Sequence, residues 1–258
     1  MLTKNVNIVI IFYSLSLFSC TPKTQILDRY DNGRMKLSRE YKVMKDGVRS
    51  DSVTIKLVNY YRNGMKFYVQ DIKEGQPNGK YLSWYQSGRK FAKGNYVDGE
   101  LSGRWTWYGD DGGLDSVRSF HEGMLNGEYI DYFNNGKPQL IIDYVDNKKH
   151  GNYKEFDILG NKISIGEYLE DIPHGQWVWW NNKVKTRELS YNNGLKNGPI
   201  QVFNNLGKIK IKGAYYNDQK DGRWKWFSEE KGLDSLISYM ENNYNDEYKV
   251  WYNNGALS

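Results

Sequence analysis

Residues 127–136, Gly-Glu-Tyr-Ile-Asp-Tyr-Phe-Asn-Asn-Gly, decide how this chain is read. A glycine is followed by an aromatic two positions on, a second aromatic five positions on, and then Asn-Gly. The same opening recurs at Gly79, Gly103, Gly151, Gly175, Gly198 and Gly222, with a last copy at Asp246; the spacings are 24 residues throughout except for one of 23. The first aromatic column runs Tyr81, Trp105, Tyr129, Tyr153, Trp177, Ile200, Trp224, Tyr248. The second runs Trp84, Tyr108, Tyr132, Phe156, Trp180, Phe203, Phe227, Trp251, and a third runs Tyr96, Phe120, Tyr144, Tyr168, Tyr191, Tyr215, Tyr239. Self-similarity at a fixed period marks a repeat array.

Working outward, Tyr60-Tyr61-Arg62-Asn63-Gly64 lies 24 residues before the equivalent Trp84-Tyr85-Gln86-Ser87-Gly88 and is a degenerate copy. Tyr30-Asp31-Asn32-Gly33 is a weaker one, offset by an insertion around Lys45 to Ser52. Thr21 to Leu27 reads as a short polar tether. The expected organisation is a signal over residues 1–19, a tether and degenerate first repeat over 20–54, and the array over 55–258.

Each unit carries two turn signals. One series is Ser87-Gly88, Asp111-Gly112, Asn135-Gly136 and Asn254-Gly255; the other is Asp98-Gly99, Glu122-Gly123, Asp146-Asn147 and Asn193-Gly194. Such pairs reach the positive φ angles of a type I′ hairpin turn. Two such turns per unit leave strands of at most ten residues. Residues 183 and 231 are lysines where other units have the turn glycine, so irregular turns are expected there. The spacing predicts an all-β, extended, twisted single-layer antiparallel meander. About sixteen strands at ~4.8 Å would span ~75 Å, long enough to curl.

With two-residue turns at Asp98-Gly99, Glu170-Asp171 and Asn217-Asp218, counting places Gly94 opposite Gly103, Gly166 opposite Gly175, and Gly213 opposite Gly222. Paired glycines would leave a bare patch on which an aromatic ring lies flat. Alternation puts Trp105, Phe120 and Leu125 on the glycine face, expected to be the packing surface. Trp84, Tyr108, Tyr132 and Phe156 fall on the other, expected to be polar with an aromatic stripe among Lys80, Arg104, Glu128 and Lys154.

Composition agrees: 22 Tyr, 9 Trp, 9 Phe and 26 Gly against 5 Pro favour strands and tight turns. A net charge of +5 from 36 basic and 31 acidic residues is too small and scattered to predict nucleic-acid binding. A single cysteine excludes an intrachain disulfide framework, a multi-cysteine zinc finger and an iron–sulfur cluster. That cysteine, Cys20, ends Leu17-Phe18-Ser19-Cys20 after a basic Lys4 and an apolar stretch from Ile8 to Phe18. The stretch is shorter than the ~20 residues of a spanning helix and has the layout of an export signal. It resembles the lipobox of bacterial lipoproteins, which implies acylation of Cys20 and a lipid-anchored address in the bacterial cell envelope, on the periplasmic or outer-membrane side.

Units such as 127–136, followed by Tyr144-Val-Asp-Asn-Lys-Lys-His150-Gly151, resemble MORN repeats, in the bacterial variant of the YwqK-type antitoxin family. The resemblance covers about residues 55–258. It implies an extended β-hairpin array that binds proteins or lipids, with an antitoxin or immunity role in that type.

Catalytic signatures are absent from the sequence. His150 and His174 share one repeat phase, two strands or ~10 Å apart, too far to share a zinc that needs ~2 Å bonds. Ser87-Gly-Arg-Lys90 matches Ser-x-x-Lys but sits on a turn rather than a helix. Asp110, Asp111 and Asp115 lack the remainder of a calcium loop. No cofactor, metal site or catalytic group is expected. The candidate partner-binding residues are the aromatics Trp84, Trp107, Tyr108, Tyr132, Trp179, Trp180, Trp226 and Trp251. The reading is a non-enzymatic, membrane-tethered scaffold for an envelope or toxin protein; the alternative is an envelope glycan binder stacking sugars on Trp107 and Trp226.

Overall fold

A computed structural model describes residues 21–46, 49–229, 232–251 and 256–257. Nineteen strands run in chain order: β1 (Lys23–Arg29), β2 (Met35–Asp46), β3 (Arg49–Tyr60), β4 (Lys66–Lys73), β5 (Gln76–Trp84), β6 (Lys90–Val97), β7 (Glu100–Tyr108), β8 (Leu114–His121), β9 (Met124–Tyr132) and β10 (Pro138–Val145). They continue as β11 (Lys148–Phe156), β12 (Lys162–Leu169), β13 (Ile172–Asn181), β14 (Val184–Asn192), β15 (Leu195–Phe203), β16 (Ile209–Tyr216), β17 (Gln219–Ser228), β18 (Gly232–Met240) and β19 (Asn243–Val250). Every strand pairs antiparallel with its sequence neighbours, from β1–β2 to β18–β19. The result is one open sheet of successive hairpins, not closed into a barrel. The expected meander is the fold.

The segment expected as a tether is instead β1, paired along β2 from Lys23↔Tyr41 to Arg29↔Met35. The insertion around Lys45 to Ser52 lengthens one hairpin, so β2 and β3 have 12 residues each rather than at most ten. Extra residues inserted as a matched pair of strand ends leave the alternation of both strands intact.

The turns differ between the two edges. On one edge Asp98-Gly99, Glu122-Gly123, Asp146-Asn147, Glu170-Asp171, Asn193-Gly194 and Asn217-Asp218 have positive φ at both positions, as a type I′ turn requires. On the other, Ser87-Gly88, Asp111-Gly112 and Asn135-Gly136 belong to three-residue loops in which only the glycine is left-handed. The N–H of Tyr85 bonds Arg89 O at 2.8 Å while Gly88 N–H returns to Tyr85 O at 2.9 Å. Lys183 overturns its expectation: Asn182 and Lys183 take φ 47° and 69° in a regular two-residue turn, with Asn181 opposite Val184. One residue fewer in that turn explains the single 23-residue spacing. Lys231, Asn254 and Gly255 lie outside the described residues.

The glycine-on-glycine register is also overturned. Tyr96 does face Leu101, and Asn95 faces Ser102, but the next pair is Lys93↔Thr106. Gly94 therefore stands against the three residues 103–105. Gly166 and Gly213 sit in the same irregularity, between Ile165↔Val178 and Glu167↔His174, and between Lys212↔Lys225 and Ala214↔Asp221. The two glycine columns have separate jobs. Gly103, Gly175 and Gly222 hold φ of 65–68° and form the bulge, which bends the strand and adds twist. Gly94, Gly166 and Gly213 have ordinary φ but receive a ring: a β-carbon on any of them would come closer than 3.0 Å to Trp105, Trp177 or Trp224.

The faces separate as alternation requires. The ring-bearing face buries Ala92, Trp105, Ile142, Trp177, Leu189, Ile200 and Trp224. The opposite face is less polar than expected, because Val58–Val69–Leu82 and Thr106–Val117–Ile130–Ile141 form aliphatic runs across paired strands. Val58, Val117 and Ile130 are buried. Residues of a single layer can be buried on both faces because long neighbouring side chains lie over them.

Candidate functional face

The ring-bearing face is built from one local device used three times. Trp105, Trp177 and Trp224 each lie on the facing glycine and donate the indole N–H to a backbone oxygen: Asn95 O at 3.0 Å, Glu167 O at 3.2 Å and Ala214 O at 3.0 Å. They are 2, 6 and 3% exposed. Tyr96, Tyr168 and Tyr215 meet them edge-on at centroid distances of 5.1–5.2 Å. Two residues on, Trp107 and Trp179 stack at 5.7 and 5.8 Å, and Trp226 lies tilted at 6.0 Å. Across the other two-residue-turn hairpins the glycine position is Gln70, Arg118, Ile142, Leu189 or Ile237, and the residue paired with it there is Tyr81, Tyr129, Tyr153, Ile200 or Tyr248 rather than tryptophan.

Cations lie on these rings. Arg118 sits between Trp107 and Tyr129, its guanidinium carbon 4.9 Å from each ring centre, and Arg187 stands 4.0 Å over Trp179. Lys149, Lys196 and Lys220 occupy one repeat phase and lie 5.0, 5.2 and 4.9 Å over Tyr168, Tyr215 and Tyr239. Such contacts leave the cation's charge uncompensated while fixing its stem. The phenols between them are pushed up by burial. Tyr129 and Tyr153 reach about 12 through burial and the nearby carboxylates of Asp131 and Glu155, which accept their hydroxyls at 3.1 and 3.3 Å.

The sequence candidates therefore divide. Trp107, Trp179 and Trp226 join the ring-bearing face, half-buried. Trp107 and Trp179 have one ring side against a tryptophan and an arginine over the ring, so little flat surface remains for a sugar. Trp84, Tyr108, Tyr132 and Trp180 are half-buried on the opposite face, with Lys93 5.8 Å from the Tyr108 ring centre and Lys162 5.6 Å from that of Trp180. Trp251 forms an isolated bridge with Leu257. The sequence reading missed the cations over the rings. Their signal was legible in the repeat: Arg118 breaks a column otherwise filled by Gln, Gly, Ile and Leu, and Lys149, Lys196 and Lys220 each stand two residues before the unit glycine.

Other candidates stay apart. Among the described residues no group of three His, Cys, Asp or Glu could hold a metal. His174 faces Glu167 across β12–β13, and its Nδ1 is buried without a partner; His121 Nε2 is 3.9 Å from Glu122. Ser87 donates to Asp110 Oδ1 at 2.6 Å from its loop, and Asp111 accepts Gly113 N–H at 2.9 Å, so both serve the turn. Cys20 and the segment expected to be a signal lie outside the described residues. Among the described residues no helix is long and apolar enough to cross a membrane.

No protein-family model matches this chain, and no curated protein matches it. Among solved structures, similarity is found to the crystal structure of TcdB2-TccC3-Cdc42, at 11% identity and a TM-score of 0.22, over 88% of this chain and 16% of that one. A porin-like protein from Bacteroides uniformis is similar at 10% identity and a TM-score of 0.18, over 85% of each chain. This chain thus spans about a sixth of the toxin-complex chain. Scores this low do not establish a common fold.

Proposed function

We propose that this chain is a non-enzymatic, membrane-tethered repeat scaffold that mediates protein–protein interaction in the bacterial envelope, with toxin neutralisation or immunity as its specific form. The observation that carries the reading is the exposed area. The chain presents 17654 Å² to solvent, where a compact protein of its mass would present ~11,800 Å². An open sheet with half-buried aromatics on both faces has the extended surface of a solenoid binder. The tether rests on Cys20 and the immunity form on the MORN resemblance. The glycan alternative has less support, because the rings of Trp107 and Trp179 are already occupied.

The test is capture from the native envelope, with the exported chain carrying Cys20→Ser as bait, cross-linked and read by mass spectrometry. One stoichiometric protein partner is the expected result. Saccharide without protein would transfer the assignment to glycan binding, and neither would remove the scaffold reading.

A further inference from the structure

The charges of the array are sorted by face. Along β7–β18 the ring-bearing face carries Arg118, Lys149, Arg187, Lys196 and Lys220. Two strand carboxylates of that face, Asp131 and Glu155, are engaged by hydroxyls: Tyr129 on the first, Tyr153 and Ser164 on the second. None of the five cations forms an ion pair among the described residues; each lies over a ring instead. Carboxylates do stand at the neighbouring turns, but Asp171 and Asp218 accept the backbone N–H groups of Lys149 and Lys196, both at 2.9 Å. On the opposite face, by contrast, Glu247 is bonded by Arg223 and Lys249, and Glu188 by Lys185.

We infer that the ring-bearing face is the docking surface for an extended acidic polypeptide segment lying across the strands of β8–β17. The inference rests on the protein-binding reading and names the chemistry of the partner. Charge complementarity is one reason. Spacing is the other: Lys196 and Lys220 are one hairpin, or two strands, apart, which at ~4.8 Å per strand is roughly 10 Å. An extended polypeptide covers the same distance in about three residues. From Arg118 on β8 to Lys220 on β17 is nine strand steps, ~43 Å, or about 13 residues of partner. The half-buried rings between the cations supply apolar contact for intervening side chains, and water excluded there strengthens each charge pair.

The test uses a fluorescein-labelled 14-residue peptide with Asp at every third position and Ala and Thr between, and a control with Lys in place of Asp. Binding to the exported chain carrying Cys20→Ser is read by anisotropy. The acidic peptide binds and the basic control does not. Affinity falls by about tenfold or more in the triple variant Lys149→Glu, Lys196→Glu, Lys220→Glu, and falls likewise when salt shortens the screening length from ~10 Å towards ~3 Å. Lys149→Met, Lys196→Met, Lys220→Met keeps the stems on the tyrosines and must also lose affinity, which separates charge from folding. Lys212→Glu, Lys225→Glu on the opposite face keeps it. Equal binding by either triple variant, or no binding of the acidic peptide, overturns the inference. Retention of a polyuronate but not of the peptide also overturns it, in favour of an anionic glycan. In the envelope capture, a partner held equally by the Lys→Glu variant removes this inference and leaves the scaffold; no partner with either bait removes the scaffold.

Discussion

The indole of Trp105 lies directly on the backbone of Gly94, so close that no β-carbon fits between them. Trp177 on Gly166 and Trp224 on Gly213 repeat the relationship. Gly94→Ala must expel the ring from a site where it is 2% exposed and break the bond from its Nε1 to Asn95 O. We expect a loss of about 3 kcal/mol, the upper range for overpacking a filled core, read as a lower urea midpoint at constant slope. The cost should be the same at Gly166 and Gly213.

The reverse experiment uses a hairpin that lacks the device. Tyr153 faces Ile142 across this hairpin, and the glycine on its other side, Gly166, already seats Trp177, so no seat remains for a further indole. Tyr153→Trp alone should destabilise, and Ile142→Gly alone should also destabilise through lost burial. The double variant should recover at least 1 kcal/mol relative to their sum, a coupling typical of residues in contact. Additivity in a double-mutant cycle would mean that the tryptophan–glycine pairing is incidental.

The bulge glycines should respond differently. Gly103 has φ +68° and nothing within 4 Å of where a β-carbon would be. Gly103→Ala therefore meets only backbone strain, about 1 kcal/mol, and Gly103→Asn less, since asparagine tolerates the left-handed region. At Gly94 asparagine should be no better than alanine. If Gly103→Asn and Gly94→Asn lower the urea midpoint equally, the division of labour between the two glycine columns is wrong.

The fold was legible in the sequence because a 24-residue period constrains it many times over. The register near Gly94 was not, because the count from Asp98-Gly99 assumes an unbroken ladder. That count holds for Tyr96↔Leu101 and Asn95↔Ser102 and fails at the next pair. A left-handed Gly103 and a ring that must reach Gly94 both require extra residues on β7, and neither requirement can be seen in turn chemistry alone. The flat-ring idea survived while the pairing that suggested it did not. The aromatic columns were legible too; the recurring lysines and the odd Arg118 were visible in the repeat, but that they lie over rings was evident only when cross-strand neighbours such as Arg187 and Trp179 were known.

The turn at Lys183 carries a further expectation. Lysine holds φ 69° there, a conformation that costs a residue with a β-carbon about 1 kcal/mol or more. Lys183→Gly removes that strain but adds freedom to the unfolded chain, worth roughly 0.4–1 kcal/mol in the other direction. Lys183→Asn relieves strain with less of that penalty, so it should raise the melting temperature more than Lys183→Gly does. A lower melting temperature for Lys183→Asn would show that the lysine makes a compensating contact.

Alkaline pH should loosen the ring-bearing face. The phenols of Tyr129 and Tyr153 sit at about 12 in the folded chain against 10.0 when exposed, chiefly through burial. Tyr81, Tyr96, Tyr144, Tyr168 and Tyr215 are raised in the same direction by the same cause. Their stabilisation is fully present below pH 10. Between pH 10 and about 12 the unfolded chain loses these protons while the folded one retains them, so folding stability falls as pH rises. Each fully shielded group would contribute up to ~1.4 kcal/mol per pH unit, and less here because the rings are only half-buried. Urea midpoints at pH 8, 10 and 11 should fall more steeply for the wild type than for Tyr129→Phe, Tyr153→Phe. An unchanged slope in that double variant would mean that other titrations govern the alkaline transition.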